Sequence, residues 1–226
     1  MARLSLFVAG LCLLALAGCS SAADDSAPAA SIQTAHTQTI ACVGDSNTAG
    51  YGAESYAGFL AERLGDSYSV ENYGVSGTTA MASGAYPYSE TAAYDASLAA
   101  QPDIVVLMFG TNDTASWHGA DAFAREYDAL VQSYLALEPH PRLILCTPPA
   151  PHLDTAPGMV SFGVQPACYD AVNSAIRTTA DKHSLTLVDI YTLTSDHPDW
   201  FLDDGIHLDN TGAQAVADAV AEAVEG

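Results

Sequence analysis

The chain has 226 residues, of which 49% are hydrophobic and 15% are charged, and its formal net charge at pH 7 is −21. This length and composition fit one globular domain with room for a sizeable core. The negative charge argues against nucleic acid as a partner and would repel a polyanionic substrate at long range, so a neutral substrate is favoured.

The N-terminus resembles a bacterial export signal. Arg3 provides a small basic region, residues 4–16 form an apolar run too short to span a bilayer, and Leu16-Ala17-Gly18-Cys19 ends the segment. This tetrapeptide resembles the lipobox, in which the cysteine is lipidated and becomes the new N-terminus. We therefore predict a lipoprotein signal peptide over residues 1–18 and a lipid anchor on Cys19. An ordinary signal peptide with an incidental cysteine is the alternative, and either one predicts export.

Residues 19–37 have the composition of a tether. They are rich in alanine and serine and show no sustained apolar period, so they cannot bury enough surface to order themselves. We therefore expect a lipidated Cys19, a flexible tether up to residue 37 and one folded domain over residues 38–226. The protein would then be held outside the cytoplasm on a bacterial membrane, at the cell surface or in the periplasm.

From residue 38 onwards, short apolar runs alternate with longer helical patterns. The runs predict strands over residues 39–43, 69–72, 104–109, 142–146 and 186–189, and the longer patterns predict helices over residues 56–64, about 90–100, 120–137, 169–183 and 211–224. This alternation is typical of a parallel sheet covered on both faces by helices. The expected fold is an α/β three-layer α/β/α sandwich with a five-stranded, flavodoxin-like sheet, whose ligands bind beyond the carboxyl ends of the strands.

Polar motifs stand at those strand ends. The first three strands are followed by Gly44-Asp45-Ser46-Asn47-Thr48, by Asn72-Tyr73-Gly74-Val75-Ser76-Gly77 and by Gly110-Thr111-Asn112-Asp113, and Asp204-Gly205-Ile206-His207 lies near the C-terminus. In order and approximate spacing these segments resemble the four conserved blocks of the SGNH (GDSL-type) serine hydrolases. The resemblance extends over about residues 39–224 and implies a serine esterase that needs no cofactor.

The residue types fit that chemistry. A serine hydroxyl is a poor nucleophile near pH 7 and needs a base such as histidine, which assigns these roles to Ser46 and His207. Histidine in turn needs a carboxylate that holds one tautomer and stabilises its positive charge. Asp204, three residues before His207, can do this on a single turn. Asp203 has a workable spacing too, and the preference for Asp204 follows the Asp-x-x-His pattern of the family.

The resemblance also implies donors for the negative charge that develops on the substrate oxygen. They are the backbone N–H groups of Ser46 and Gly74 and the side-chain amide of Asn112. A glycine lets the backbone approach the substrate closely, and an asparagine brings two donors without a charge. Two positions depart from the commonest family pattern: Asn47 stands where an aliphatic residue usually follows the serine, and Leu208 stands where proline is frequent after the histidine.

Three further side chains are expected near the substrate. Asp45 precedes the serine, Trp117 follows the third block, and Trp200 precedes the last one, so that both indole rings could stack on a sugar or pack against an acyl group. Ordinary packing is the alternative for each tryptophan. Residues 148–166 contain five prolines and form a long connection that is expected to wall the acyl pocket, with an irregular surface loop as the alternative.

The cysteines and histidines predict neither a disulfide framework nor a metal site. Once Cys12 and Cys19 are set aside, three cysteines remain. Cys42 and Cys146 lie in strands that the expected fold separates by a third strand, beyond disulfide reach. Of the remaining pairs, Cys146 with Cys168 is the favoured one if a bridge forms. No pair of cysteines or histidines has the spacing of metal ligands, so no metal is expected.

These observations favour a carbohydrate O-acetylesterase that acts outside the membrane on a small ester or an acetylated glycan. The predicted surface anchor, the position of Trp117 and the family resemblance motivate this choice. A thioesterase or lysophospholipase acting on longer acyl chains is the second hypothesis, because Ala49-Gly50-Tyr51-Gly52 after Ser46 also resembles those relatives. A lipoprotein that binds a glycan without turnover is the third, and the complete set of reactive residues argues against it.

Overall fold

The computed structural model describes residues 37–153 and 162–226. The predicted signal peptide, the Cys19 anchor and nearly all of the tether lie outside these residues. Within the described part of the chain, no helix is both long enough and apolar enough to cross a membrane.

The centre of the domain is a five-stranded sheet in which every pair of neighbouring strands is parallel. In chain order the strands are β1 (Gln38–Gly44), β2 (Tyr68–Asn72), β3 (Ile104–Met108), β4 (Arg142–Cys146) and β5 (Thr186–Val188). Their order across the sheet is β2-β1-β3-β4-β5. This is the flavodoxin-like order, and it confirms the fold predicted from the sequence.

Eight α-helices are present among the described residues, and the five longer ones match the predicted helices. They are α1 (Ser46–Ala49), α2 (Tyr56–Leu64), α3 (Ala92–Ala99), α4 (Thr111–Ala115), α5 (Ala120–Leu135), α6 (Tyr169–His183), α7 (Ile190–Thr194) and α8 (Asn210–Glu225). The sequence did not reveal α1, α4 and α7, because four or five residues are too few to show a helical period. Two of these short helices carry residues of the site described below.

The core forms two layers, one on each face of the sheet. Successive side chains of a strand point to opposite faces, so Ile104, Val106 and Met108 pack with α2 and α8, whereas Val105 and Leu107 pack with α5 and α6. Every residue of β3 is buried. This explains why that strand appears in the sequence as an unbroken apolar run rather than as an alternation.

The three cysteines of the domain are buried and free. Cys42 and Cys146 both face the α2 and α8 side of the sheet, with β3 between their strands. The bridge between Cys146 and Cys168, which the sequence favoured over any other, does not form. Burial raises the pKa of the Cys42 thiol to about 12, although a hydrogen bond with Tyr56 acts in the opposite direction, so this thiol stays protonated and unreactive.

Candidate active site

Ser46 opens α1, directly after β1, at the carboxyl edge of the sheet. The Oδ1 atom of Asp45 caps this helix by accepting the backbone N–H of Asn47 at 3.0 Å. Gly44 leaves no room for a side chain, because a Cβ atom there would overlap Thr48 Oγ1. The chain can therefore turn from strand to helix within two residues, and Ser46 is left 4% exposed.

Ser46, His207 and Asp204 form a continuous chain of hydrogen bonds. Ser46 Oγ lies 2.9 Å from His207 Nε2, and His207 Nδ1 lies 2.7 Å from Asp204 Oδ2. The other carboxylate oxygen, Asp204 Oδ1, accepts the backbone N–H groups of Ile206 at 2.9 Å and of His207 at 3.0 Å. With Asp204 on Nδ1, the imidazole presents Nε2 to the serine as an acceptor, which is the arrangement that a proton transfer from Ser46 requires.

The electrostatics of Asp204 suit a partner for an imidazolium. Partial burial of this carboxyl acts to raise its pKa, but the hydrogen bonds from the backbone and ring of His207 and from Ile206 outweigh that effect and lower it. Asp204 is therefore ionised at neutral pH. Asp203, the rival acid, is exposed and makes no hydrogen bond to His207 among the described residues.

The turn that carries His207 is held at several points. Leu202 N–H donates to the His207 carbonyl oxygen at 2.8 Å, and His152 N–H donates to the carbonyl oxygen of Gly205 at 2.7 Å. Gly205 has a φ of 65° and lies so close to the His152 carbonyl that a Cβ atom would overlap it. Only glycine satisfies both constraints, which gives the second residue of this motif a structural reason.

Asn112 lies on α4, directly after β3, and its side chain reaches the same cavity as Ser46. Its Nδ2 atom also donates to the Thr78 carbonyl oxygen at 3.1 Å. The neighbouring Asp113 is buried, and its carboxylate accepts the backbone N–H groups of Ala80 at 3.1 Å and Met81 at 2.8 Å. Two consecutive residues of α4 thus hold the segment that follows β2 beside the serine.

The structure does not bring Gly74 to the cavity, so this prediction is wrong. The Gly74 N–H donates to Asn72 Oδ1 at 2.9 Å, and a Cβ atom at residue 74 would overlap the backbone nitrogen of Ala49. Glycine is required there because the segment packs against α1. Gly77, three residues later in the same motif, lines the cavity with a φ of 82°. Its N–H has no hydrogen-bond partner among the described residues, which makes it the better candidate donor.

A cavity of about 220 Å³ opens in front of the serine. The polar and backbone part of its lining comes from Ser46, Ser76, Gly77, Asn112 and His207, and the aromatic and aliphatic part comes from Tyr51, Phe162, Val164 and Ile206. Phe162 and Val164 belong to the proline-rich connection, so part of that connection does wall the pocket.

The outer end of the cavity is aromatic. The ring of Tyr51 stacks on the imidazole of His207, with centroids 4.1 Å apart and planes at 30°, and Phe162 meets the same imidazole edge-on at 5.5 Å. Tyr51 and Phe162 are 46% and 48% exposed. These two rings contact the imidazole and are open to solvent, as are Ser76 and Gly77 in the same lining.

The three side chains that were expected to line the substrate site do not line this cavity. Asp45 is buried beneath α1, Trp117 packs against Phe123 at 6.1 Å, and Trp200 stacks on the ring of His197 at 3.7 Å. Proximity along the chain was a poor guide for the tryptophans, because each turns away from the motif beside it. Tyr51 and Ile206 belong to motifs quoted from the sequence, yet nothing in the sequence showed that they face the pocket.

Two carboxyl groups lie buried under the site without a cationic partner among the described residues. Burial raises the pKa of Asp45 to about 7, with the hydrogen bond from Asn47 acting in the opposite direction and the nearby Asp113 adding to the rise. Burial likewise raises the pKa of Asp113 to about 6, against the hydrogen bonds from Met81 and Ala80. These acids support the loops around Ser46 and do not contact the cavity.

Comparison with known proteins supports this architecture. An acetylxylan esterase of Xylanibacter ruminicola is 29% identical over 82% of this chain. The chain spans only 43% of that protein's length. Among solved structures, an inhibitor-bound aryl esterase of M. smegmatis superposes with a TM-score of 0.69 at 21% identity, covering 83% of this chain and 98% of that one. A carbohydrate acetylesterase from Sinorhizobium meliloti gives 0.66 at 23% identity, with 83% and 98% covered.

At these identities the solved structures establish the fold, which is the one described above. The family assignment comes from the sequence model of the GDSL-like lipases and acylhydrolases, which matches residues 42–215. That range begins within β1, just before the Ser46 turn, and includes the His207 turn near its other end. The chain therefore belongs to the GDSL-like lipase/acylhydrolase family of carboxylic ester hydrolases.

Proposed function

We propose that this protein hydrolyses O-acetyl esters on an extracellular carbohydrate through an acyl-enzyme on Ser46. The observation that carries the proposal is the hydrogen-bonded chain from Ser46 through His207 to Asp204. The Ser46 end of this chain faces a small cavity. A serine, an imidazole and a carboxylate in this order are the parts that acyl transfer requires.

In the first half of the reaction, Ser46 Oγ attacks the ester carbonyl carbon while His207 Nε2 takes the hydroxyl proton. Asp204 keeps the Nδ1 proton in place and stabilises the imidazolium. The carbonyl oxygen becomes negatively charged and is stabilised by the N–H groups of Ser46 and Gly77 and by the Asn112 amide, each worth about 3 kcal/mol in related sites. The intermediate collapses when the bond to the sugar oxygen breaks, and His207 protonates the leaving alcohol.

In the second half, a water molecule attacks the acetyl group on Ser46. His207 Nε2 now accepts a proton from that water, the same donors stabilise the oxyanion, and the bond to Ser46 Oγ breaks as the serine regains its proton. Acetate leaves and the site returns to its starting state. All the acid and base steps use one imidazole, so no cofactor is needed.

The cavity supports a short acyl group. Its volume of about 220 Å³ is below the 300–1,000 Å³ typical of pockets for drug-sized ligands. Val164 and Ile206 offer apolar contacts to a methyl group, and the exposed rings of Tyr51 and Phe162 offer faces on which a sugar could stack. The negative charge of the chain also suits a neutral glycan better than an anionic lipid surface.

The predicted location is part of the same proposal and rests on the sequence alone. Leu16-Ala17-Gly18-Cys19 would supply the lipid anchor and place the enzyme where extracellular glycans are found. In cells that process lipoproteins, Cys19→Ala should move the protein from the membrane fraction to the soluble fraction. A variant that stays in the membrane fraction would refute the anchor.

The activity is tested with purified protein spanning residues 38–226. We expect acetate release from acetylated xylan and from a chromogenic acetyl ester, and a loss of several orders of magnitude in Ser46→Ala. Ser76→Ala is the matched control, since it removes a second hydroxyl from the same cavity and should retain most of the activity. Undiminished hydrolysis by Ser46→Ala would refute the mechanism.

A series of esters from acetyl to palmitoyl separates this proposal from the thioesterase or lysophospholipase alternative. We expect kcat/KM to be highest for acetyl and to fall as the acyl chain outgrows the cavity. A maximum at long chains would exclude the deacetylase proposal and leave the serine mechanism intact.

A further inference from the structure

Asn47, the residue after the proposed nucleophile, links the serine helix to the histidine turn. Its side chain is buried, at 6% exposure. Asn47 Oδ1 accepts the backbone N–H of Leu208 at 3.0 Å, and Asn47 Nδ2 donates to the backbone carbonyl of Ile206 at 3.3 Å. Ile206 and Leu208 are the two neighbours of His207, so one amide group holds the backbone on both sides of the proposed base.

These two bonds are well placed to fix the distance between Ser46 and His207. Among the described residues, the only other hydrogen bond between α1 and residues 206–208 is the one from Ser46 to His207 itself. Asn47 is in turn fixed at its own backbone, where its N–H donates to the capping carboxylate of Asp45. The amide of Asn47 therefore ties the turn that carries the base to the helix that carries the nucleophile.

We infer that Asn47 is a positioning residue for the esterase reaction and that it works as a pair with the backbone N–H of Leu208. The inference rests on the proposed function. An aliphatic side chain at residue 47 could neither accept nor donate these bonds, and proline at residue 208 would have no N–H to give. The two positions at which this sequence departs from the usual family pattern are thus in direct contact, and each departure explains the other.

The expected effect is on kcat rather than on KM. Asn47 does not line the cavity, so its loss should leave substrate binding almost unchanged. A displacement of a reacting group by about 1 Å can cost about 100-fold in rate. We therefore expect Asn47→Leu to lower kcat about 10- to 100-fold, with KM changed less than about threefold.

The test is a double-mutant cycle with Asn47→Leu, Leu208→Pro and the double variant, measured on a chromogenic acetyl ester. Asn47→Leu leaves the Leu208 N–H and the Ile206 carbonyl without their partner, and Leu208→Pro leaves Asn47 Oδ1 without its partner, whereas in the double variant only the Ile206 carbonyl is left unpaired. We expect the double variant to lose far less than the product of the two single losses in kcat. Losses that multiply, or an Asn47→Leu enzyme whose kcat stays within about twofold of the wild type, would overturn the inference.

Thr39→Val is the control for a general loss of stability. Thr39 Oγ1 also makes a long-range hydrogen bond in the domain, to Asp103 Oδ2 at 2.9 Å, but it lies at the amino end of the sheet. Its loss should lower the melting temperature while leaving kcat unchanged. The two variants are compared at the same decrease in melting temperature. If Thr39→Val then lowers kcat as much as Asn47→Leu does, Asn47 has only a structural role.

A second measurement covers the case in which Leu208→Pro does not fold. Amide hydrogen exchange should show the Leu208 N–H protected in the wild type and exchanging much faster in Asn47→Leu, and equal protection would overturn the inference. Comparing the esterase activity of the wild type with that of Ser46→Ala shows whether the positioning role or the proposed function has failed. If that activity is present and the Asn47 variants behave normally, the positioning role alone fails, and if it is absent, the proposed function fails first.

Discussion

The inner and outer ends of the cavity are built in different ways. The inner end, formed by Ser46, His207 and Asn112, is held by hydrogen bonds that start at the carboxyl ends of β1 and β3 and at the Asp204 turn. The outer end, formed by Tyr51 and Phe162, is held by ring contacts to His207 and is nearly half exposed. Hydrogen bonds restrict distance and angle closely, whereas contacts of exposed rings allow one side chain to be replaced by another. We therefore expect the inner end to carry the chemistry and the outer end to affect which acyl groups fit.

The largest effect should come from the inner end, through the carboxylate behind His207. Asp204→Asn keeps the size of the side chain but favours the wrong imidazole tautomer, and a loss of about 10⁴ in kcat is expected. Asp203→Asn changes the adjacent, exposed carboxylate and should leave kcat close to the wild-type value. Comparable losses in both variants would mean that Asp204 acts through the general charge of the turn.

Asn112→Ala should have the next largest effect, since it removes one of the proposed oxyanion donors. A decrease of about 10²- to 10³-fold in kcat is expected. Asn72→Ala sharpens the choice between the two glycines of the second motif, because it frees the Gly74 N–H and leaves Gly77 unchanged, although it also removes the hydrogen bonds from Asn72 Nδ2 to the Thr48 carbonyl and to Ser55 Oγ. We expect a much smaller loss for Asn72→Ala, whereas an increase in kcat, as a newly freed donor beside the oxyanion would give, would return Gly74 to the site.

At the outer end, Phe162→Ala should change selectivity more than rate. The wider pocket should raise kcat/KM for butyryl relative to acetyl esters by about tenfold, the order expected when one or two methylene groups gain space. Tyr86→Ala is a suitable control, because Tyr86 is exposed to a similar extent but does not line the cavity. An unchanged acyl preference in Phe162→Ala would show that the outer end does not limit chain length.

The smallest effect concerns the support beneath the inner end. Folding raises the pKa of Asp45 from 3.8 to about 7, so the folded protein binds this proton more tightly and loses stability as the pH rises through that window. Asparagine has no carboxyl group to titrate, so the Asp45→Asn variant should not show this loss of stability as the pH rises. Its melting temperature relative to the wild type should therefore increase between about pH 4 and pH 7, on the order of several degrees.

Asp113→Asn offers an internal comparison for that measurement. The pKa of Asp113 is raised to about 6, so its relative melting temperature should rise with the same sign and level off nearer pH 6. A relative melting temperature that falls as the pH rises, in either variant, would contradict the assignment.

The same contrast explains what could be predicted from the sequence. The strand over residues 142–146 and the helices over residues 56–64 and 169–183 were predicted with the bounds that the structure shows. Their hydrophobic periods and flanking residues are local signals, which a sequence displays directly. Ser46, Asp204, His207 and Asn112 were identified by the resemblance of their motifs to the four family blocks, and their positions after strands or within one turn of a partner are consistent with a parallel sheet that gathers such residues at one edge.

The remainder depended on contacts between distant parts of the chain. Gly74 and Gly77 stand in the same motif, but the Gly74 N–H already donates to Asn72, and the Gly74 backbone packs against α1. The sequence does not show which of the two N–H groups is left free. Trp117 and Trp200 lie near the reactive residues in sequence but pack elsewhere, whereas Phe162 reaches His207 across 45 residues of chain. No local pattern encodes those choices.

The buried cysteines of the domain have a practical consequence. Cys42 and Cys146 are free and enclosed by the core, Cys168 is free and 8% exposed at the start of α6, and burial raises the pKa of each thiol. In protein that starts at residue 38, a cysteine introduced at an exposed position such as Tyr86 would be the thiol that maleimide reagents reach first. A fluorophore or spin label could then be attached at a chosen site without first replacing the native cysteines, which would allow the approach of a glycan to the cavity to be followed directly.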